Sequence, residues 1–198
     1  LFLRWKREGV ICVFGSIHPD ELDIILKAIA LLKREEIRCK YVIVPRHVEK
    51  TEYFEGKAEE YGIDYIRYSQ IEADRDFYSE CIIFDMLGYL KGLYSFSDIS
   101  FVGGTLNNVG GHNLLEPSIY SKPVLFGPNC SNQKEACDRL IRNGGGFIVS
   151  DEYDLKSRIK YLVHDPGKIK EAGERSKKTL LELKGATGKI IRVIEKQG

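Results

Sequence analysis

Val10-Ile11-Cys12-Val13-Phe14-Gly15-Ser16-Ile17-His18-Pro19-Asp20-Glu21-Leu22 is the stretch that decides the fold. Val10 to Phe14 is apolar at every position and stops at Gly15-Ser16, which reads as a strand buried on both faces. His18-Pro19-Asp20-Glu21 then opens a helix, with proline and acids in its first turn. Leu22, Ile25, Leu26, Ile29 and Leu32 follow at helical spacing, and the charged run Lys33 to Arg38 closes the helix. A uniformly apolar strand followed at once by an amphipathic helix is the unit of a parallel sheet covered on both sides.

The same alternation runs outward from this unit. Tyr41 to Val44 reads as a strand ended by Pro45, and Glu49 to Tyr61 as a helix stopped by Gly62. Ile63 to Tyr68 is a further strand, Gln70 to Glu80 a polar loop, and Cys81 to Phe84 a strand ending at Asp85. Leu87 to Phe96 reads as a short helix, Ile99 to Val102 as a strand ending at Gly103-Gly104, and Leu114 to Tyr120 as a helix after a glycine-rich loop. Pro123 to Phe126 is a strand, Ser131 to Asn143 a helix broken by Gly144-Gly145-Gly146, and Phe147 to Val149 a strand. Asp151 to Lys196 reads as helices separated near Pro166 and Gly185. The expected class is α/β, a doubly wound parallel sheet, in which ligands sit beyond the carboxyl ends of the strands.

Bulk properties narrow the function. The 198 residues suit one domain with a real core. Thirty basic and 29 acidic residues leave a net charge of +1, so no global field argues for nucleic acid. Five cysteines form no CxxC pair and no disulfide framework, which points to reduced thiols and a cytoplasmic setting. No apolar run approaches a bilayer span. The chain opens on Leu1-Phe2-Leu3 and reads as a piece of something larger, with membrane contact expected elsewhere.

The strand ends carry the chemistry. Gly15-Ser16 can bring backbone N–H groups to an anion, or can be a plain strand-to-helix turn. Pro45-Arg46-His47 places an arginine fork and an imidazole just past a strand, suited to phosphate or carboxylate unless merely solvated. Asp85-Met86-Leu87-Gly88 offers Asp85 as a helix cap, with Gly88 explained by close approach of a ligand. The richest segment is Gly103-Gly104-Thr105 with Gly110-Gly111-His112-Asn113-Leu114-Leu115-Glu116-Pro117. Here Asn113 can cap a helix, and Glu116, just before Pro117, can grip the two hydroxyls of a ribose. His112 and Glu116 are four apart, as in a metal pair, but the glycines and Pro117 disfavour a regular ligand-bearing helix and no third ligand is evident. There is no Walker A sequence, no GxGxxG and no GxSxG.

These pieces together resemble the C-terminal domain of bacterial 3-deoxy-manno-octulosonate (Kdo) transferases. The markers are Gly15-Ser16-x-His18, Pro45-Arg46-His47, Asp85-x-x-Gly88, Phe101-Val102-Gly103-Gly104, Gly111-His112-Asn113-x-Leu115-Glu116-Pro117 and Lys122 to Pro128, continued by Asn132 and Glu135. The sequence departs from the family pattern at Ile17, Tyr89 and Asn107-Asn108-Val109. The resemblance implies a Rossmann-like domain, the C-terminal half of a two-domain GT-B glycosyltransferase. All of 1–198 would be the donor-binding domain, with an N-terminal acceptor domain and its catalytic base outside this chain. The donor would be CMP-Kdo and the acceptor a lipid A precursor of lipopolysaccharide biosynthesis, at the cytoplasmic face of the bacterial inner membrane. Transfer would invert the anomeric centre without a cofactor or tightly bound metal, and this chain alone would bind donor without turnover. Carried over by residue, Pro45 and Arg46 would flank the cytidine monophosphate, Leu87, Gly88 and Tyr89 would contact the nucleotide, and Ser16, His47, Gly111 and His112 would belong to the same substrate-binding set. Asn113, Leu114, Leu115 and Glu116 would hold phosphate and ribose, with Glu116 on the ribose hydroxyls, helped by the dipole of a helix beginning near Asn113. The alternatives are a GT-B enzyme using a UDP-sugar and a non-enzymatic nucleotide-binding module.

Overall fold

A computed structural model describes residues 2–71 and 79–197, with side chains described for 4–71 and 79–185. Residues 72–78, inside the stretch read as a polar loop, lie outside the described residues. Seven strands form one sheet: β1 (Val10–Ile17), β2 (Cys39–Pro45), β3 (Tyr65–Arg67), β4 (Cys81–Ile83), β5 (Ile99–Val102), β6 (Val124–Phe126) and β7 (Gly146–Ile148). Their order is β3-β4-β2-β1-β5-β6-β7, and every pairing is parallel.

The helices are α1 (Phe2–Glu8), α2 (Pro19–Arg34), α3 (Thr51–Glu60), α4 (Leu90–Phe96), α5 (Lys134–Asn143), α6 (Glu152–Val163) and α7 (Pro166–Gln197). They cover both faces, which is why the strands carry no polar alternation. On β1, Cys12 and Phe14 pack on the side of Leu22, Ile25 and Ile29 of α2, Phe54 of α3 and Ile159 of α6. Ile11 and Val13 point the other way, to Trp5 of α1, Leu93 and Tyr94 of α4 and Leu140 of α5. Successive side chains of one strand thus enter two separate cores. All five cysteines are free and buried.

The sheet has one topological switch. From β1 the chain steps to β2 and onward to the β3 edge, whereas from β5 it steps the other way, to β6 and β7. β1 and β5 are neighbours, so the connections that leave their carboxyl ends diverge and open a crevice between them.

Several local expectations are corrected. The helix expected from Leu87 begins at Leu90, because Asp85 accepts hydrogen bonds from the Ser69 N–H and hydroxyl (3.0 and 2.6 Å) and so caps a different turn. The segment 114–120 is not an α-helix: it is a turn followed by a four-residue 3₁₀ helix over Pro117–Tyr120. The last helix crosses Gly185 without a break. An N-terminal helix, α1, stands where no element was expected; it anchors the buried Trp5 under β1.

Candidate functional site

The crevice begins with a kink in β1. Ser16 has φ +57°, a left-handed conformation that is uncommon outside glycine, and the register with β2 slips between Phe14 and Ile17. It is a bulge, and bulges re-aim the chain beside sites. After it the strand resumes for one residue: the Ile17 carbonyl accepts from the Arg46 N–H at 2.8 Å. Gly15-Ser16 is therefore part of a bulged strand and not a plain strand-to-helix turn; Gly15 is pressed against Tyr94, whose hydroxyl stands 2.0 Å from where a Cβ would lie.

Beyond the bulge four cationic or potentially cationic groups gather from three strand ends. His18 Nε2 lies 2.9 Å from His112 Nε2. Their rings are parallel within 2° and their centroids are 5.2 Å apart, so with the nitrogens in contact the rings meet edge to edge in one plane, not face to face. His47 approaches His18 nearly perpendicularly, at 6.0 Å between centroids. Burial, reinforced by the charges of Arg46, His18 and His47, pulls the His112 pKa down from its usual range to about 4. Arg46 is exposed and has no salt bridge among the described residues. Among those residues no group of three His, Cys, Asp or Glu is disposed to hold a metal ion; the His112 Nε2 is already engaged with His18 rather than paired with Glu116.

A buried carboxylate beside this cluster is committed to backbone donors. Glu21, fully buried, accepts from the N–H groups of His18 (3.1 Å), Gly104 (2.8 Å), Thr105 (3.0 Å) and Leu106 (3.0 Å). It sits in the first turn of α2, where the helix dipole also favours a negative charge. Glu21 thus fastens the loop after β5 to the start of α2. Thr105, also fully buried, extends the clamp to the loop after β6: its hydroxyl accepts from Gly127 N–H at 2.7 Å and its carbonyl from Asn129 N–H at 3.0 Å. From the sequence Glu21 reads only as a first-turn acid. A glutamate at the third helical position is a capping-box signal, and that signal could have found it.

The loop consumes most of its own donors. Gly111 N–H goes to Gly104 O (2.7 Å) and His112 N–H to Gly103 O (3.2 Å), while Asn113 Oδ1 accepts from Leu115 N–H at 3.1 Å. Among the described residues the N–H groups of Asn113 and Leu114 keep no acceptor. A four-residue 3₁₀ turn carries no dipole comparable to that of an α-helix, so the expected contribution of a helix starting near Asn113 is withdrawn. These two N–H groups, with the side chains, can serve an anion.

The remaining expected residues divide by exposure. Pro45, Gly111 and Leu114 are buried, and the Leu114 side chain belongs to the core rather than the crevice. Glu116 is partly exposed, with no hydrogen bond to its carboxylate among the described residues. Asn113 and Leu115 also line a groove of about 580 Å³ with Ile119, Asn132, Glu135 and Leu180. Leu87 is 71% exposed and Tyr89 53%, an apolar rim on the loop after β4. Gly88 there has φ +86° and open space around it, so its reason is backbone conformation, not crowding.

This geometry can be set beside known proteins. No family model matches the chain. It is 38% identical over 165 residues to the 3-deoxy-D-manno-octulosonic acid transferase of Aquifex aeolicus, covering 83% of this chain and 45% of that protein. Against the transferase of the same name from Chlamydophila psittaci it is 34% identical over 165 residues, covering 83% and 37%. This chain resembles the Kdo transferases. It spans less than half the length of these two curated relatives. The crystal structure of the C-terminal CMP-Kdo binding domain of WaaA from Acinetobacter baumannii superposes with a TM-score of 0.81 at 24% identity, covering 91% of this chain and 94% of that one. The fold is that of the C-terminal half of a GT-B glycosyltransferase.

Proposed function

We propose that this chain is the donor-binding half of a Kdo transferase. It binds CMP-Kdo, and with an N-terminal acceptor domain it transfers Kdo, with inversion, to a lipid A precursor at the cytoplasmic face of the bacterial inner membrane. The observation that carries the reading is the meeting of His18, His47, His112 and Arg46 at the switch point, where His47 has Glu49 beside it and Arg46 has no salt bridge among the described residues. Such a cluster is made for a phosphate. The similarity to Kdo transferases supports the choice of nucleotide sugar.

In this reading the phosphate lies against the histidines and Arg46, with the Asn113 and Leu114 N–H groups beside it. Glu116, whose carboxylate has no hydrogen-bond partner among the described residues, takes the ribose hydroxyls. The exposed Leu87-Gly88-Tyr89 rim meets the nucleoside, and the groove lined by Asn113, Leu115 and Asn132 is open to the sugar. When the glycosidic bond to phosphate breaks, negative charge grows on the departing CMP. Arg46 and the histidine N–H donors gathered around the phosphate stabilise that charge. The acceptor and the base that deprotonates it belong to the N-terminal half. None of the described helices is long and apolar enough to cross a membrane, so this reading assigns membrane contact to the whole enzyme, not to a span within these helices.

Calorimetric titration with CMP and UMP tests the site. CMP is expected to bind more tightly than UMP. Arg46→Ala should weaken CMP by about 1.5–3 kcal/mol, as for loss of a charged hydrogen-bonding partner, and Glu116→Ala should weaken CMP more than inorganic phosphate. Preference for UMP would move the assignment to a UDP-sugar enzyme.

A further inference from the structure

The contact between His18 and His112 has a consequence for how the site handles protons. Two Nε2 atoms at 2.9 Å in coplanar rings can be bonded only if one of them carries a hydrogen and the other does not. The pair therefore shares a single Nε2 proton. It can exist as a neutral pair, or it can hold one additional proton on Nδ1 of the donor ring without breaking the Nε2–Nε2 bond. A second additional proton would put N–H against N–H.

Every charged group that faces the pair bears on which form is present. Arg46 and His47 come from the end of β2, and both oppose protonation of His112. His47 is itself beside Glu49, at 3.3 Å. From α2, Glu21 is negative but saturated by four N–H donors. Glu116 follows on the same loop as His112. Burial and neighbouring positive charge hold the His112 pKa down to about 4. Bringing a phosphate to the cluster reverses the sign of the local field.

We propose that the His18–His112 pair takes up one proton from solvent as a phosphate-bearing nucleotide enters the crevice, so that the site reaches its full positive charge only around its anion. The new bond is Nδ1–H on the donor ring, nothing is oxidised or reduced, and the proton returns to solvent when the nucleotide leaves. The inference rests on the nucleotide-binding reading above. It makes the pair a positioning and specificity element: a neutral ligand of the same shape would gain nothing from it.

The test is calorimetric titration of this chain with the methyl ester of cytidine 5′-phosphate, a diester whose phosphate does not titrate near neutrality. It is run in two buffers of different ionisation enthalpy, between about pH 6 and about pH 7.5. Heats that differ between the buffers as proton uptake requires, with affinity rising toward tenfold per pH unit as pH falls, are expected. His112→Gln and His18→Gln should each abolish the buffer dependence. Binding with equal heats in both buffers overturns the inference while the nucleotide reading stands. Uptake that persists in both variants overturns the assignment to this pair. No binding of either the ester or CMP by the wild-type chain overturns the nucleotide reading, and the inference with it.

Discussion

Glu21→Gln should cost about 3 kcal/mol or more of folding stability, no less than Glu21→Ala. The ordinary expectation is the reverse, since glutamine has nearly the shape of glutamate. Here each carboxylate oxygen accepts two backbone N–H groups: Oε2 those of His18 and Gly104, Oε1 those of Thr105 and Leu106. An amide in either orientation turns an NH₂ group onto one of those pairs. Donor then faces donor in a fully buried place. Alanine also orphans the N–H groups, but it leaves room that water can enter, and an unmade buried bond costs about 1–3 kcal/mol. Urea unfolding followed by circular dichroism and by the fluorescence of Trp5, the single tryptophan, measures both variants. A glutamine variant within about 1 kcal/mol of wild type would show that the charge and both oxygens are not what holds the loop. Because His112 hangs on the same loop through Gly103 O, CMP affinity should fall in parallel.

Glu21 also marks where the sequence stopped being legible. The parallel sheet was readable because each strand enters two cores and is therefore apolar at successive positions, as in Ile11-Cys12-Val13-Phe14. Strand ends were readable because glycine, proline and polar residues interrupt those runs, and the crevice lies at these ends. The strand order was not readable. No local pattern tells that β3 would pass over a position to the sheet edge and leave β4 against β2. The glycine-rich loop was recognised as a site element, but its helical reading from Leu114 failed. Pro117 starts a 3₁₀ turn, and Leu114 is drawn into the core instead of into helical phase. Asp85 was assigned to the nearest helix, whereas its partner Ser69 lies upstream and comes beside it only through the pairing of β3 with β4. The histidine pair joins residues 94 positions apart, a contact that exists only once β1 and β5 are neighbours.

The same crevice yields a second large effect from a single methyl group. Gly103→Ala places a Cβ 2.3 Å from the Ser16 carbonyl oxygen and 3.0 Å from Glu21 Oε2. Neither can yield. Ser16 is backbone in an already uncommon left-handed bulge, and the Glu21 oxygen is held by two N–H donors. Relief must come from separation of β1 and β5 at their carboxyl ends, at an overpacking cost of about 1–3 kcal/mol. That separation carries Gly103 O, and with it His112, away from His18. CMP affinity is therefore expected to fall about tenfold, or ~1.4 kcal/mol. Gly88→Ala is the informative contrast. Its Cβ would meet nothing, so only the positive φ resists it, at about 1–2 kcal/mol, and the histidine pair would be untouched. Urea unfolding and CMP titration of both variants separate the two causes. If Gly103→Ala bound CMP as tightly as wild type, the close approach of β1 and β5 would not be what sets the His18–His112 contact. The Glu21→Gln, Gly103→Ala double variant should then lose less than the sum of the two, because both act on one loop through shared atoms.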